Sequence, residues 1–427
     1  MKEYPRILFI TVNGWNNTTG TATIPSIIEG YPPENVACIF IRPDVPNSPT
    51  CNLYYNISER DVIRSVFNRK IYPGKVVVNT REKKHEMDNE QKDRIKLKKI
   101  PNCLGNYMRD IVWKLGKWNN DNLKNFIDEF KPDVIAFPAE GLLSFLRLCK
   151  YVVNYTAKPY VLFFWDDNFT YRSHGIRFYR VLLKHTIGSL AKKCAGSFAI
   201  TPKMANECQS YFRITPTLIT KPVIIKAEVK DKCEYSYPIK ILYAGSLYID
   251  RDKTLDCVIN TIKEINMEKN YFYLEIYTNS ELSEDKKKKY NIANVVSLCP
   301  GVQKEQILEL QQNADILLFV EALNGRYRNS ARLSFSTKIT DYLSANRAIL
   351  AVGPEDIAPI EYLQDNQAAI IASNELELKE KLNWIVEQKD NVLRDYAKRA
   401  FELGKTNHSQ QLIFSSFCTT IEKAKEN

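Results

Sequence analysis

No stretch of this 427-residue sequence approaches the ~20 consecutive apolar residues that a membrane-spanning helix requires, so the chain is expected to be soluble or bound only at a membrane surface. The first apolar run, residues 7–12, is too short for the core of a secretion signal. It leads into Asn13-Gly14-Trp15-Asn16-Asn17, which resembles no cleavage site, and so reads as a first strand. Histidine is scarce: His85, His174, His185 and His408 are the four present, none at ligand spacing, which argues against a metal site. The ten cysteines stand singly, with no C-x-x-C pair, several of them inside apolar runs such as Ala37-Cys38-Ile39 and Leu148-Cys149. They read as reduced packing residues of a cytosolic protein, which excludes a disulfide framework and a zinc cluster. A G-x-G-x-x-G fingerprint is missing, as is any zinc-finger, RNA-recognition or helix-turn-helix signature. The formal charge of +10 therefore suits a nucleotide or a phospholipid surface better than nucleic acid, which is not expected as a partner.

What is present is a globular composition, 44% hydrophobic and 26% charged, in a chain longer than one hydrophobic core usually organises. Short apolar runs alternate with amphipathic helical patterns. Runs at 7–12, 36–41, 134–137, 160–165 and 196–200 read as one series of strands. Runs at 239–244, 273–277, 295–297, 316–320, 348–352 and 368–371 read as a second. Such alternation is the pattern of βαβ units, so two doubly wound α/β halves are expected. The charged stretch 221–238, punctuated by Pro222 and Pro238, separates them. Residues 409–425 carry Leu412, Ile413, Phe414, Phe417 and Ile421 at helical spacing, and the densely charged residues 81–99 read as a mobile loop or an exposed helix.

The candidate functional residues cluster where strands give way to loops or helices, the ligand-binding end of open α/β sheets. The most informative segment is 334–354. Ser336 is a candidate N-cap, with Thr337 beside it; Ile339, Tyr342 and Leu343 form an apolar stripe, and Lys338 and Asp341 share the other face. Free N–H groups and Lys338 at a helix mouth suit a diphosphate, and Asp341 suits sugar hydroxyls. The same two residues also read as a solvated i,i+3 ion pair, worth a few tenths of a kcal/mol. In 240–251, Gly245 and Ser246 permit close backbone approach to phosphate and Arg251 offers a bidentate clamp. Gly14 and Gly20 flank the loop after the first strand, which is either a cleft lining or a plain turn. Asp166 and Asp167 end the run Tyr160-Val161-Leu162-Phe163-Phe164-Trp165, as ligand-facing acids or as loop caps. Glu140 is another strand-end carboxylate. The segment 106–118 mixes Lys, Arg and Trp on a helical pattern, and either lies on an anionic membrane surface or buries its apolar face in the core.

The pattern Ser336-Thr337-Lys338-x-x-Asp341-Tyr342-Leu343, followed by Ile349-Leu350-Ala351-Val352-Gly353-Pro354, resembles the donor-site helix of glycosyltransferase family 4 and its GT-B-fold relatives. Lys240-Ile241-Leu242-Tyr243-Ala244-Gly245-Ser246-Leu247, with Arg251, resembles the loop that opens the nucleotide-binding domain of that family, and 314–321, ending in Glu321, resembles the strand before its donor helix. The likeness is clearest over residues 239–372.

That resemblance implies an α/β GT-B architecture, two Rossmann-like doubly wound domains facing across a cleft. Residues 1–222 would be the acceptor-side domain and 223–405 the nucleotide-sugar-binding domain, with 406–427 a C-terminal helix crossing back to the first. It implies a retaining, metal-independent transferase that moves a sugar from a nucleotide-diphosphate donor to an acceptor hydroxyl, with the donor as co-substrate and no cofactor. A glycan or lipid-linked glycan would be the acceptor, in bacterial surface polysaccharide assembly, in the cytoplasm or at the inner membrane face. Gly14, Gly20, Gly245, Ser246, Arg251, Glu321, Ser336, Thr337, Lys338 and Asp341 would bind the donor, Glu140 the acceptor, and Asp166, Asp167, Arg251 and Lys338 would carry the chemistry. A nucleotide-sugar epimerase of the same fold and a non-catalytic nucleotide-sugar-binding scaffold are the alternatives. Two departures from the family pattern stand out: Leu333 occupies the first of two positions, eight apart, where the family carries glutamates, and Ala345-Asn346 replaces its glycine at the helix end. Asparagine tolerates the left-handed turn second best, so the turn is expected to survive.

Overall fold

A computed structural model describes residues 4–16, 23–79, 102–170, 177–225, 232, 234–302, 304–325 and 327–426. Gly20 and residues 81–99 lie outside the described residues. The chain divides into two compact units, Met1–Thr220 with Ile413–Asn427, and Lys221–Leu412.

The first unit holds an eight-stranded sheet. Its strands are β1 (Ile7–Thr11), β2 (Val36–Phe40), β3 (Leu53–Asn56), β4 (Lys75–Val78), β5 (Val134–Pro138), β6 (Tyr160–Phe164), β7 (Gly196–Ala199) and β8 (Thr217–Leu218), in the order β4-β3-β2-β1-β5-β6-β7-β8. Every pairing is parallel except β3 with β4. The central strands are apolar on both faces because helices cover both, which is why they read as continuous apolar runs instead of alternating ones. Strands β3, β4 and β8 escape that reading: β3 is four residues ending in Asn56, β4 is an antiparallel edge with Val76 exposed, and β8 is two residues long. The last helix, Gln410–Glu426, buries Ile413, Phe417, Cys418 and Ile421 in this unit's core, where Phe417 stacks on Phe198 at 5.8 Å.

The second unit holds a six-stranded, all-parallel sheet built from β9 (Ile239–Ala244), β10 (Phe272–Thr278), β11 (Val296–Pro300), β12 (Ile316–Val320), β13 (Ala348–Val352) and β14 (Ile370–Ala372). The order is β11-β10-β9-β12-β13-β14, so the direction of winding reverses between β9 and β12. In a doubly wound sheet that switch point opens a crevice at the carboxyl ends of the two strands. In the first unit the corresponding reversal falls between β1 and β5. Both units are thus Rossmann-like, as expected.

The helix Thr337–Leu343 begins at Ser336, whose hydroxyl accepts from the Lys338 N–H, and buries Ile339, Tyr342 and Leu343. Three residues past its end Asn346 adopts φ +53°, the left-handed turn that the missing glycine would otherwise supply. The 33-residue helix Glu375–Asn407 packs against it; a Cβ on Gly404 would stand 2.9 Å from the Leu343 carbonyl oxygen, so glycine sets the approach.

Candidate functional site

At the switch point of the second unit, β9 ends and the chain passes Gly245, Ser246 and a tight turn before entering the helix Arg251–Ile265. Ile249 and Asp250 both hold positive φ, +58° and +62°, an unfavourable conformation for a β-branched residue. The turn aims Arg251 at the end of β12. There Arg251 donates from Nε and Nη2 to the two carboxylate oxygens of Glu321, at 3.0 and 2.7 Å, while its Nη1 lies 3.5 Å from Ser246 Oγ. Glu321 is itself fixed: its N–H donates to the Val352 carbonyl at 3.0 Å and its carbonyl accepts from Thr254 Oγ1 at 2.8 Å.

Lys338 reaches into the same place from the first turn of its helix. Its ammonium donates to the Tyr243 hydroxyl at 3.3 Å and sits 4.5 Å from the centre of that ring. Gly245 makes room: a Cβ there would lie 1.9 Å from Lys338 Nζ. The Tyr243 hydroxyl in turn donates to the Ser246 carbonyl at 2.6 Å, tying strand, loop and lysine together. Burial, reinforced by the neighbouring Arg251 cation and opposed by Glu321, pushes the Lys338 ammonium down to about 7. Lys338 and Asp341 are therefore not an ion pair with each other. Asp341 is held instead by Lys221, which stands at the start of this unit.

The structure thus brings together Gly245, Ser246, Arg251, Glu321 and Lys338, with Ser336 capping the lysine's helix and Thr337 exposed as its first residue. Three participants escaped the sequence reading. Tyr243 lies within the quoted β9 run, where a tyrosine at a buried position two residues before glycine signals a polar end that needs a partner. Thr254 carries no signal beyond its place one turn into the helix, and Lys221 none beyond its position in the linker. Leu333, at the departure from the family pattern, is fully buried and its side chain has no polar atom to offer a sugar.

In the first unit the loop after β1 is arranged differently from expectation. The Gly14 N–H donates to Asp44 Oδ2 at 3.1 Å, and the space beside its Cα is filled by Phe40 and Asp44, at 3.1 and 3.3 Å from where a Cβ would stand. The close approach that Gly14 permits is used by the protein's own side chains. Asp167 is buried and caps its own turn: Oδ1 accepts from the Thr170 N–H at 2.8 Å and Oδ2 from the Thr170 hydroxyl. Asp166 is exposed, and with Glu140 and Arg42 it forms a charged group at the carboxyl ends of β2, β5 and β6. Burial, aided by Asp166 and opposed by Arg42, raises the Glu140 carboxyl to about 7. Arg42 also donates to Asn13 Oδ1 at 3.0 Å, which links this group to the loop after β1. No group of three histidine, cysteine or acidic side chains among the described residues is placed to hold a metal ion, and no helix among them is long and apolar enough to cross a membrane.

No family model and no curated protein matches the chain in sequence. Its fold is matched by many solved structures. Anabaena Alr3699/HepE, solved in complex with UDP, aligns with TM-score 0.61 at 9% identity over 98% of this chain and 99% of its own. The E. coli trehalose-6-phosphate structure bound with UDP-2-fluoro glucose aligns with TM-score 0.60 at 10% identity over 99% of each. A glycosyltransferase from Rickettsia africae aligns with TM-score 0.58 at 12% identity over 99% of this chain and 98% of its own. At these identities the likeness establishes architecture alone: the chain has two Rossmann-like units in the GT-B fold.

Proposed function

We propose that the protein transfers a glycosyl group from a nucleotide-diphosphate sugar to an acceptor hydroxyl, with the diphosphate seated at the switch point of the second unit. The observation that carries this is the convergence of Arg251 and Lys338 on Gly245, where β9 and β12 diverge. Gly245 leaves backbone N–H groups approachable, Arg251 is aimed by its fork to Glu321, and Lys338 needs no swing to meet an anion. As the bond from the sugar's anomeric carbon to the diphosphate breaks, the electron pair goes to the phosphate oxygen. Cations already in place beside that oxygen stabilise the charge without reorganisation, a contribution of about 3–4 kcal/mol per well-placed donor.

Retention of configuration, independence of metal, and a role in bacterial surface glycan assembly belong to this reading through the sequence resemblance. On it, the ribose sits against Asp341, which must leave Lys221 to accept its hydroxyls, and the acceptor lies near Glu140 and Asp166 of the first unit. Thr337, Ser336 and the N–H groups of their short helix complete the diphosphate surroundings.

Titration calorimetry with UDP and GDP, followed by release of the nucleotide from their sugars across an acceptor panel, tests this. Wild type is expected to bind one nucleotide class and to turn it over; Arg251→Ala and Lys338→Ala should each lower turnover about 10²-fold while leaving the circular dichroism spectrum intact. Unchanged binding and turnover in both variants would refute the site. A non-catalytic nucleotide-sugar-binding role is the second reading, favoured by the buried Leu333 where the family carries a carboxylate; binding of the intact nucleotide sugar with no nucleotide released would select it.

A further inference from the structure

Three helices of the first unit, Asn102–Leu115, Leu143–Thr156 and Arg177–Ala191, pack side by side in that order on one side of the sheet. Their charge is one-sided. The first carries Arg109 and Lys114, the second Arg147 and Lys150, and the third Arg177, Arg180 and Lys184. The one acid in all three is Asp110, which is buried and accepts the Ser144 N–H at 2.7 Å. Arg109 is answered from a neighbouring helix by Glu59, at 2.7 Å.

The sequence left open whether the first helix belongs to the core or to a surface, and it serves both. Trp113 is buried, but Tyr107, Met108, Ile111 and Leu115 are about half exposed on the other side. The third helix likewise turns Phe178, Val181 and Leu182 outward, Phe178 at 73% exposure. Between the helices lies a crevice of about 530 Å³, lined by Lys114, Arg147 and Lys150 together with Trp113, Trp118 and Tyr151, and bordered by Leu182. The 111/114/115, 147/150/151/154 and 178/182/186 spacings are successive helical turns, so the exposed aliphatics and the cations lie together. Single-stranded nucleic acid would ask for aromatic rings exposed among the cations for bases to stack on, whereas Trp113 and Trp118 are buried and the exposed apolar side chains are mainly aliphatic. Large aliphatic and aromatic side chains left in water among cations match a surface that is apolar below and anionic above.

From this we infer that the three-helix face docks on the headgroup layer of an anionic lipid bilayer, with Phe178, Val181, Leu182, Ile111 and Leu115 entering the interface and the basic crevice receiving lipid phosphates. The inference does not rest on the glycosyl-transfer reading, since the residues lie in the other unit.

The test is co-sedimentation of the full chain with phosphatidylcholine vesicles and with vesicles containing about one-third phosphatidylglycerol, with nucleotide binding measured in parallel to report an intact second unit. Wild type is expected to bind the anionic vesicles at least about tenfold better, and to be released by high salt. The Lys114→Glu/Lys150→Glu/Lys184→Glu variant should lose that preference, and Phe178→Ser/Leu182→Ser should bind several-fold more weakly at every salt concentration. Both change exposed positions, so each checks the other if one folds poorly. Equal binding to neutral and anionic vesicles, or wild-type sedimentation by both variants, would overturn the proposal. So would a chain that ignores vesicles and binds a single-stranded oligonucleotide, or one that forms a dimer dissolved by Phe178→Ser/Leu182→Ser.

Discussion

Replacing Lys338 by methionine is expected to make the protein more stable at neutral pH while removing its affinity for a nucleotide diphosphate. Burial first, and then the Arg251 cation, bring the lysine from 10.5 down to about 7 in the folded chain, Glu321 offsetting part of the effect. In the unfolded chain the lysine returns to its ordinary value. Between pH 7 and 10.5 the unfolded state therefore binds more protons than the native one, and native stability rises with pH across that window. The depressed ammonium costs the folded state about 4 kcal/mol at pH 7 and only about 1 kcal/mol at pH 10. Methionine has nearly the same length and no charge, but it forfeits the 3.3 Å hydrogen bond and the 4.5 Å ring contact with Tyr243. Those two contacts are worth about 1–2 kcal/mol together. The variant should thus gain about 2–3 kcal/mol at pH 7, or about 5–10 °C in melting temperature for a unit of this size, and gain nothing at pH 10. Calorimetric melts of both proteins at the two pH values measure it. A variant that melts below wild type at pH 7, or a difference that is the same at both pH values, would refute the account of Lys338 as a partly buried, desolvated cation.

Other expectations follow from the same geometry. A diphosphate beside Lys338 restores its ammonium, so binding at pH 8 should take up close to one proton, and affinity should fall up to about tenfold per unit above pH 7; titration calorimetry in buffers of different ionisation enthalpy reads the uptake directly. Gly245→Ala places a methyl 1.9 Å from Lys338 Nζ at a backbone φ of +157° that alanine rarely adopts, so the lysine must turn away, nucleotide binding should weaken at least about tenfold by titration calorimetry, and the melting temperature should fall as well. Arg251→Lys keeps the charge but cannot span both Glu321 oxygens, so turnover should drop about 10²-fold in a nucleotide-release assay. Glu140 is raised to about 7 by burial and Asp166, so its favourable contribution is complete below its unfolded value of about 4.5 and is lost as pH rises through 7. Glu140→Gln should therefore gain on wild type between pH 5 and pH 8 in urea unfolding.

How far the sequence could be read follows from what each residue depends on. Strands buried on both faces are legible because apolarity is their whole requirement: the runs that became β9, β12 and β13 were found within a residue of their ends. The edge strands β4 and β8 were not, since an edge tolerates lysine, exposure and brevity and so leaves no pattern. Residues whose role follows from backbone chemistry were readable too: Ser336 caps its helix and Asn346 takes the left-handed turn. What stayed hidden were partnerships across long sequence separations. Nothing local says that Glu321 fixes Arg251 seventy positions earlier, or that Lys221 holds Asp341. Gly14 and Asp167 show the converse, local signals of ligand chemistry that the fold uses internally, against Asp44 and within a turn.

The switch point of the second unit also shows how a fold can hold two cationic side chains close together. Arg251 is compensated by a carboxylate, and the pair is buried with both fork contacts made, so its charge is oriented but largely neutralised. Among the described residues no carboxylate stands at ion-pair distance from Lys338; it rests on the Tyr243 ring and hydroxyl and meets its environment by holding its proton weakly. Had Asp341 been its partner, the bridge would have removed this pressure and, on the proposed reading, filled the place a phosphate takes. Asp341 turns to Lys221 instead, and Leu333, at the first of the two positions where the family carries glutamates, is buried and brings no charge. A lysine that holds its proton weakly beside an oriented arginine lowers the stability of the protein and, on the proposed reading, raises the return on binding a dianion, the exchange of stability for function expected of a preorganised electrostatic site.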